Sequence, residues 1–327
     1  MGLTAQAADA HIAHWQAELG KPYYPHRVHW PSMLFHHAPI YNAVGIIQTG
    51  EIRSRRHTEG DRPLDVAAAG VIENRDRAHE FSRLYFRPRT PTQYHIEGIR
   101  RPNECRYGPN AHAPVLVMFA LDARSILTMP STRFSNINMQ NGDALDGDDD
   151  AFFATINFAK TYHEGGTSHD MSIVNHRAAE VLCQSPLILE QHLKWVICRS
   201  EAERDTLIHL AGPAARLLRP KIVTSDDGRV FEKRFAFVEK VYASPEGITF
   251  SINPRYDQAK LKVRVQVRTG TGFAVFDQTY DQLAARPDNG GSWISKVKLE
   301  DGVYRVTIEI DDHDAYANVF NVGEALF

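Results

Sequence analysis

Cysteine is scarce in this 327-residue chain, with only three. Cys105, Cys183 and Cys198 are odd in number and far apart, which excludes a disulfide framework and leads us to expect a reducing, cytoplasmic location. No apolar run approaches the roughly 20 residues that span a bilayer, so no membrane partner is expected. The opening Met1-Gly2-Leu3-Thr4-Ala5-Gln6 has neither a basic region nor an apolar core behind it, so no secretory leader is expected, and Gln6 spoils a myristoylation signal. A Gly-x-Gly-x-x-Gly phosphate loop is missing, which argues against a Rossmann site. Positive charge is not in excess either: 37 Lys and Arg stand against 40 Asp and Glu, a formal net charge of −3. Proteins that hold nucleic acid usually gain affinity by neutralising phosphates, so the overall balance gives such a partner no support.

The distribution of charge says more. Residues 51–110 hold twelve arginines against nine Asp and Glu, a pattern that fits either an anion-binding face or a solvated surface with no partner. Asp143, Asp146, Asp148, Asp149 and Asp150 lack the order and the distal Glu of a calcium loop. They are expected to form an exposed mobile loop within a polar stretch from Asn136 to Ala151, and no metal is expected.

Apolar spacing predicts a helix over Ala8–Leu19, through Ile12, Trp15 and Leu19, and a second over Ile40–Gln48 that Gly50 ends. Val115–Phe119, Ala178–Cys183 and Leu193–Cys198 read as strands. Residues 1–215 therefore form an α+β domain, and 216–230 read as a linker. Beyond it the pattern is purely β: Leu261–Arg268 alternates apolar and polar without a fault, and about seven short strands predict a sandwich-like accessory domain over 231–327. Nothing in it looks catalytic; an interaction or stabilising role is expected.

Three stretches carry chemistry. In Leu34-Phe35-His36-His37-Ala38-Pro39-Ile40-Tyr41-Asn42 a strand runs into a helix, where His36 or His37 could bond a ribose hydroxyl or an amide; a satisfied surface histidine is the plainer alternative. In Tyr85-Phe86-Arg87-Pro88-Arg89-Thr90-Pro91-Thr92-Gln93-Tyr94 two prolines hold a short connection in one shape, so that Arg89 can fork onto a phosphate. Tyr85 or Tyr94 could stack on nicotinamide or a base, or simply fill the core. In Asn175-His176-Arg177-Ala178-Ala179-Glu180 a carboxylate opens an apolar strand. Glu180 could stabilise an oxocarbenium-like ribosyl cation and take a proton from an attacking nitrogen; most such residues are structural.

Taken together, these stretches resemble the DarT-type toxins, which transfer ADP-ribose from NAD onto nucleic-acid bases. Phe35, His36 and Asn42 match the family's opening strand and helix. His79 through Tyr94 is similar almost residue for residue, and Arg177–Glu180 resembles the segment with the catalytic Glu. The resemblance covers about residues 33–210. It implies an ADP-ribosyltransferase fold, a split antiparallel sheet with helices, and NAD as co-substrate. Implied catalytic residues are Glu180 and Arg89, and implied NAD contacts are His36, His37, Asn42, Tyr85 and Tyr94. The loop from Asn136 to His176 corresponds to the substrate-reading element, which makes Arg87, Asn141, His176 and Arg177 candidate substrate contacts. Implied partners are single-stranded DNA or RNA and a cognate antitoxin, with DNA ahead of RNA and thymine or guanine as the base. Ala38-Pro39 replaces an expected Thr-His pair, the acidic loop is divergent, and short family members lack the C-terminal β region. Two rival functions stay open: transfer to a protein or to water, and a non-catalytic nucleotide sensor.

Overall fold

The computed structural model describes residues 1–21, 23–58, 79–225 and 229–323. Arg62, Arg75 and Arg77 of the basic stretch lie outside the described residues. Helix α1 (Ala5–Leu19) begins where the Thr4 side chain accepts a hydrogen bond from the Ala7 amide, and it lays Ile12 and Trp15 on the core. Strand β1 (Met33–Pro39) leads directly into helix α2 (Ile40–Thr49), which buries Ile40, Ala43 and Ile47. Gly50 ends α2 at φ +71°, a left-handed value that costs glycine little.

The first region is built on one sheet. Its strands, after the short β2 (Glu51–Ile52), are β3 (Phe81–Tyr85), β4 (Leu116–Asp122), β5 (Arg133–Ser135), β6 (Asp146–Gly147), β7 (Glu180–Gln184), then β9 (Leu193–Cys198) and β10 (Ile222–Thr224), with β8 (Leu187–Ile188) paired aside to β2. The spatial order is β10-β9-β4-β1-β3-β7-β5-β6, antiparallel throughout except for the parallel β10–β9 pair. β4 is buried on both faces, as its unbroken apolar run requires. β1 pairs with β4 along its whole length but meets β3 only at Phe35↔Tyr85, so the sheet opens at the β1–β3 seam.

The segment expected to be a linker contributes Ile222–Thr224 to this sheet, in register with Val196–Cys198. The acidic stretch also differs from the expectation of a mobile loop. Asp148 binds the terminal amino group of Met1 (2.7 Å), and Asp150 takes both the amide and the hydroxyl of Thr4 (2.9 and 2.7 Å). Asp149 caps the Asp150–Phe153 helix, and Asp146 pairs with Arg133 at 2.6 Å. The carboxylates of Asp146, Asp148, Asp149 and Asp150 each have a donor facing them, which pins this part of the loop.

The second region is a two-sheet sandwich. β11 (Phe237–Ser244), β12 (Gly247–Asn253) and β15 (Trp293–Lys296) form one sheet, in the order β11-β12-β15. β13 (Leu261–Thr269), β14 (Ala274–Leu283), β16 (Gly302–Ile310) and β17 (His313–Val322) form the other, in the order β14-β13-β16-β17. Leu261, Val263, Val265 and Val267 all point into the core between the sheets while the intervening residues face out, as the alternation predicts. The sandwich packs on the Glu201–Ala211 helix, where Ser200 donates to the Val238 carbonyl (2.7 Å) and the Ala317 amide to Thr206 (3.2 Å). Ile99 and Ala202 of the first region join its core. No helix among the described residues is long and apolar enough to cross a membrane.

Candidate active site

Glu180 opens β7 directly opposite Tyr85 of β3, and Tyr85 lies opposite Phe35 across the seam. Residues paired across antiparallel strands share a face, as do residues two apart on one strand, so Arg83 joins Glu180 and Tyr85 there. The Arg83 guanidinium grips the carboxylate with two bonds, Nε to Oε2 at 2.6 Å and Nη2 to Oε1 at 2.5 Å. Glu180 is fully buried, so this pair supplies the counter-charge that an ionised carboxylate away from water requires. Burial works against the Arg83 charge, but the Glu180 carboxylate outweighs it and raises the arginine's pKa. The Ser135 hydroxyl accepts from the Glu180 amide at 2.8 Å and fixes the start of the strand.

Tyr85 carries its phenol into this site. Burial, reinforced by the charge on Glu180, pushes it up to about 12, so it stays protonated. The His37 ring stacks on Tyr85 with centroids 5.4 Å apart and planes 10° from parallel. Burial, and then the charges of His36 and Arg83, push His37 down to about 3, so it is neutral at pH 7. His36 alternates to the other face, level with Phe119, and its Nδ1 lies 3.0 Å from the Arg83 carbonyl across the seam.

A second cluster forms where β3 ends. Arg89 Nη1 binds Glu164 Oε1 at 2.8 Å and Nη2 binds Glu232 Oε2 at 3.1 Å. Arg87 binds the other oxygen of Glu164 at 2.9 Å, donates to the carbonyls of Pro88 and His163, and lies over the Trp30 ring. Its side chain is 2% exposed. Arg87, expected to reach substrate, here props the Glu164 carboxylate that faces Arg89. Arg177 reaches His163 Nδ1 and the Gly165 carbonyl, both at 2.6 Å. Glu180 and Arg89 therefore stand at one end of the sheet but in separate ion-pair groups.

Other expected contacts fall farther out. Tyr94 lies on the exposed side of the Pro91–Ile96 helix with its ring 4.9 Å from the Arg234 guanidinium and its hydroxyl bonded to it. The lead-in to the sandwich thus engages Tyr94, the residue expected to contact NAD. Asn42 sits part-buried in the first turn of α2. His176 Nδ1 is 3.2 Å from the Asn136 carbonyl, and the Asn138 amide donates to the Asn175 carbonyl. The root of the Asn136–His176 loop is thereby tied to the segment that leads into Glu180. Asn141 is in the turn beyond, where its side chain accepts from the Asp143 amide at 2.9 Å.

Register extends the Phe35–Tyr85–Glu180 row to Ala120 and then Trp195. Phe35 and Trp195 also wall a cavity of about 250 Å³, together with His26, Trp30, Met33, Ile197 and Val223. Phe35 is two strand spacings, roughly 10 Å, from Glu180. His26 Nε2 in the cavity lining, and Arg89 Nε and Arg177 Nε in the neighbouring ion-pair and loop contacts, are buried nitrogens with no hydrogen-bond partner. The combination of an aromatic wall, unsatisfied cationic donors and a buried carboxylate suits a ligand with a flat ring and an anionic link. Among the described residues no three His, Cys, Asp or Glu side chains gather to hold a metal.

The profile of one protein family, described as ssDNA thymidine ADP-ribosyltransferase, DarT, matches residues 35–226, more than half of the chain. No curated protein matches the chain. Among solved structures it is similar to Thermus sp. 2.9 DarT in complex with ADP-ribosylated ssDNA, at 15% identity and a TM-score of 0.50, covering 61% of this chain and 96% of that one. The same protein in complex with NAD+ gives 14% identity and a TM-score of 0.48 over 61% and 97%. Thermosipho africanus DarTG in complex with ADP-ribose gives 14% and 0.46 over 68% and 55%. The match from Phe35 to Asp226 spans the β1–β3 seam, the Arg87–Arg89 connection and Glu180, and the chain belongs to the DarT family of ADP-ribosyltransferases.

Proposed function

We propose that this protein transfers ADP-ribose from NAD to a base of single-stranded DNA, with thymine the favoured base. The observation that carries the reading is Glu180: a fully buried carboxylate at a strand start, gripped by Arg83, on an open seam within the family match. Both the family's description and the DNA in a related complex favour DNA over RNA.

NAD suits the residues present. Its pyrophosphate needs cationic donors, which Arg89 and Arg177 offer through unpartnered Nε atoms, and its rings need the aromatic wall of Trp30, Phe35 and Trp195. When bound, NAD supplies the ADP-ribosyl group: its bond to nicotinamide breaks with the electron pair leaving on nicotinamide, and the base nitrogen forms the new bond. In this reading Glu180 stabilises the positive charge that develops on the ribose, and it accepts the proton from the base. Arg83 aims the carboxylate through its two bonds. Tyr85 stays a neutral hydrogen-bond donor beside it, and the stacked His37 walls the ribose side without adding charge. Arg89 orients NAD, His36 braces the seam from the opposite face through the Arg83 carbonyl, and the loop rooted at Asn136 and His176 reads the base.

A toxin of this kind needs a neutralising partner, and a cognate antitoxin that reverses the mark or covers the cleft is part of the proposal. The experiment is NAD consumption with thymine-containing and thymine-free single-stranded oligonucleotides. Arg89→Ala should raise the KM for NAD and lower kcat/KM by about 100-fold. Turnover that ignores the oligonucleotide would replace this reading with transfer to protein or water.

A further inference from the structure

Arg89 stands at φ +55°, in the left-handed region that a non-glycine residue enters only when its surroundings hold it there. A closed ring of bonds supplies that hold. The Arg89 amide donates to Gln93 Oε1 at 2.7 Å, and Gln93 Nε2 donates to both Glu97 Oε2 and the Val230 carbonyl at 2.9 Å. Glu97 then accepts the amide of Glu232 on Oε2 at 3.0 Å and that of Lys233 on Oε1 at 2.9 Å. Glu232 closes the ring through its carboxylate, which binds the Arg89 guanidinium. Gln93 is 0% and Glu97 2% exposed, so water cannot replace these bonds.

The second half of this ring does not belong to the family match. Val230–Lys233 lies beyond residue 226 and leads into β11 of the sandwich. From this closure we infer that the sandwich's lead-in is a positioning element for the active site, and that Gln93 and Glu97 are positioning residues through which it sets the backbone and the guanidinium of Arg89. Arg89 is held at both ends: its amide is fixed from within the Pro91–Ile96 helix, and its guanidinium is fixed by the Glu232 carboxylate, from the segment that leads into the sandwich and buries Val230 and Phe231 in the first region's core. The inference rests on the reading that Arg89 binds NAD. It gives the C-terminal region a function that its own strands do not suggest.

The test is steady-state NAD consumption on a thymine-containing oligonucleotide by the full chain. Gln93→Met removes all three side-chain bonds at nearly constant volume and constant charge. We expect the KM for NAD to rise at least about tenfold while kcat stays within about threefold. Glu97→Gln, which turns an amide donor toward the Glu232 and Lys233 amides, should show the same split and carries the test alone if Gln93→Met does not fold. Arg264→Ala, at an exposed pair with Asp277 in the sandwich, should leave both constants unchanged. An unmoved KM in both ring variants, or losses confined to kcat and thermal stability, would overturn the inference while leaving the NAD reading intact. A wild-type chain that consumes no NAD would overturn both.

Discussion

In the eight-stranded sheet, Glu180 is buried against Arg83, and Arg87 is buried against Glu164 one turn of chain later. In the sandwich strands the buried polar residues are Ser251 and Ser295 alone among the described residues, and the ion pairs, such as Arg264–Asp277 and Lys262–Asp312, face water. Both regions use the same strand alternation to sort side chains. Burying ion pairs seldom adds stability over an apolar core, so a fold gains little from Glu180 and Arg83 as structural groups. This chain accepts that cost at the seam and at the end of β3, where an NAD-cleaving site would sit, and once more between β9 and the Glu201–Ala211 helix. The sandwich strands carry no comparable pair inside, and charged burial returns at the junction, in Arg255 with Glu104 and in Arg199 with Glu203, the Arg199 guanidinium lying over Phe237 of β11.

Substitutions should separate the two regions cleanly. Glu180→Gln keeps the volume and loses the charge; kcat should fall by about 1,000-fold or more with the fold and NAD binding retained. Arg83→Met should leave Glu180 as a buried carboxylate without its partner. A loss of about 3 kcal/mol in denaturant unfolding is expected, together with a fall in kcat; stability equal to wild type would show that Glu180 does not depend on this pair. Ile308→Ala, in the apolar core of the sandwich, should cost about 2–4 kcal/mol by the same measurement, yet at a temperature where the variant is folded its KM for NAD should match wild type.

Acid adds a graded effect of a different kind. Burial, the main cause for each ring, pushes His11 and His37 down to about 3 and His112 to about 4; all three are in the first region. Below an ordinary histidine pKa near 6.5 the unfolded chain binds protons that the folded one refuses. Their contribution is therefore fully present above about pH 6.5, and each ring loses up to about 1.4 kcal/mol per pH unit as the pH falls toward 4. No histidine is buried in the sandwich strands. Acid should thus loosen the first region before the second, which hydrogen exchange between pH 7 and 5 would resolve; equal loss of protection in both regions would contradict it.

Much of this was legible in the sequence because it depends on neighbours. The faultless alternation of Leu261–Arg268 gave β13, and a carboxylate opening the apolar Ala178–Cys183 run pointed to Glu180 at the start of a strand. Arg83 escaped notice among the arginines of a basic stretch. Its spacing of two from Tyr85 was the signal, because it places both on the face of Glu180. Other features were beyond reach for a physical reason. The carboxylates on Arg89 come from positions 75 and 143 residues away, and no local pattern encodes such a pairing. Ile222–Thr224 is a strand only because β9 offers it a parallel edge. Tyr94 was assigned by its motif, but the sandwich lead-in decides where it points, and that segment has no counterpart in the matched region.

The measurement that tests the account most directly is mass spectrometry of short single-stranded DNA oligonucleotides of differing base content, incubated with NAD and either the wild-type chain or Glu180→Gln. One added ADP-ribose on thymine-containing oligonucleotides, lost with the variant, is the predicted result. Adducts of equal yield from both proteins would contradict the role of Glu180, and nicotinamide release with no adduct on any oligonucleotide would contradict transfer to a DNA base.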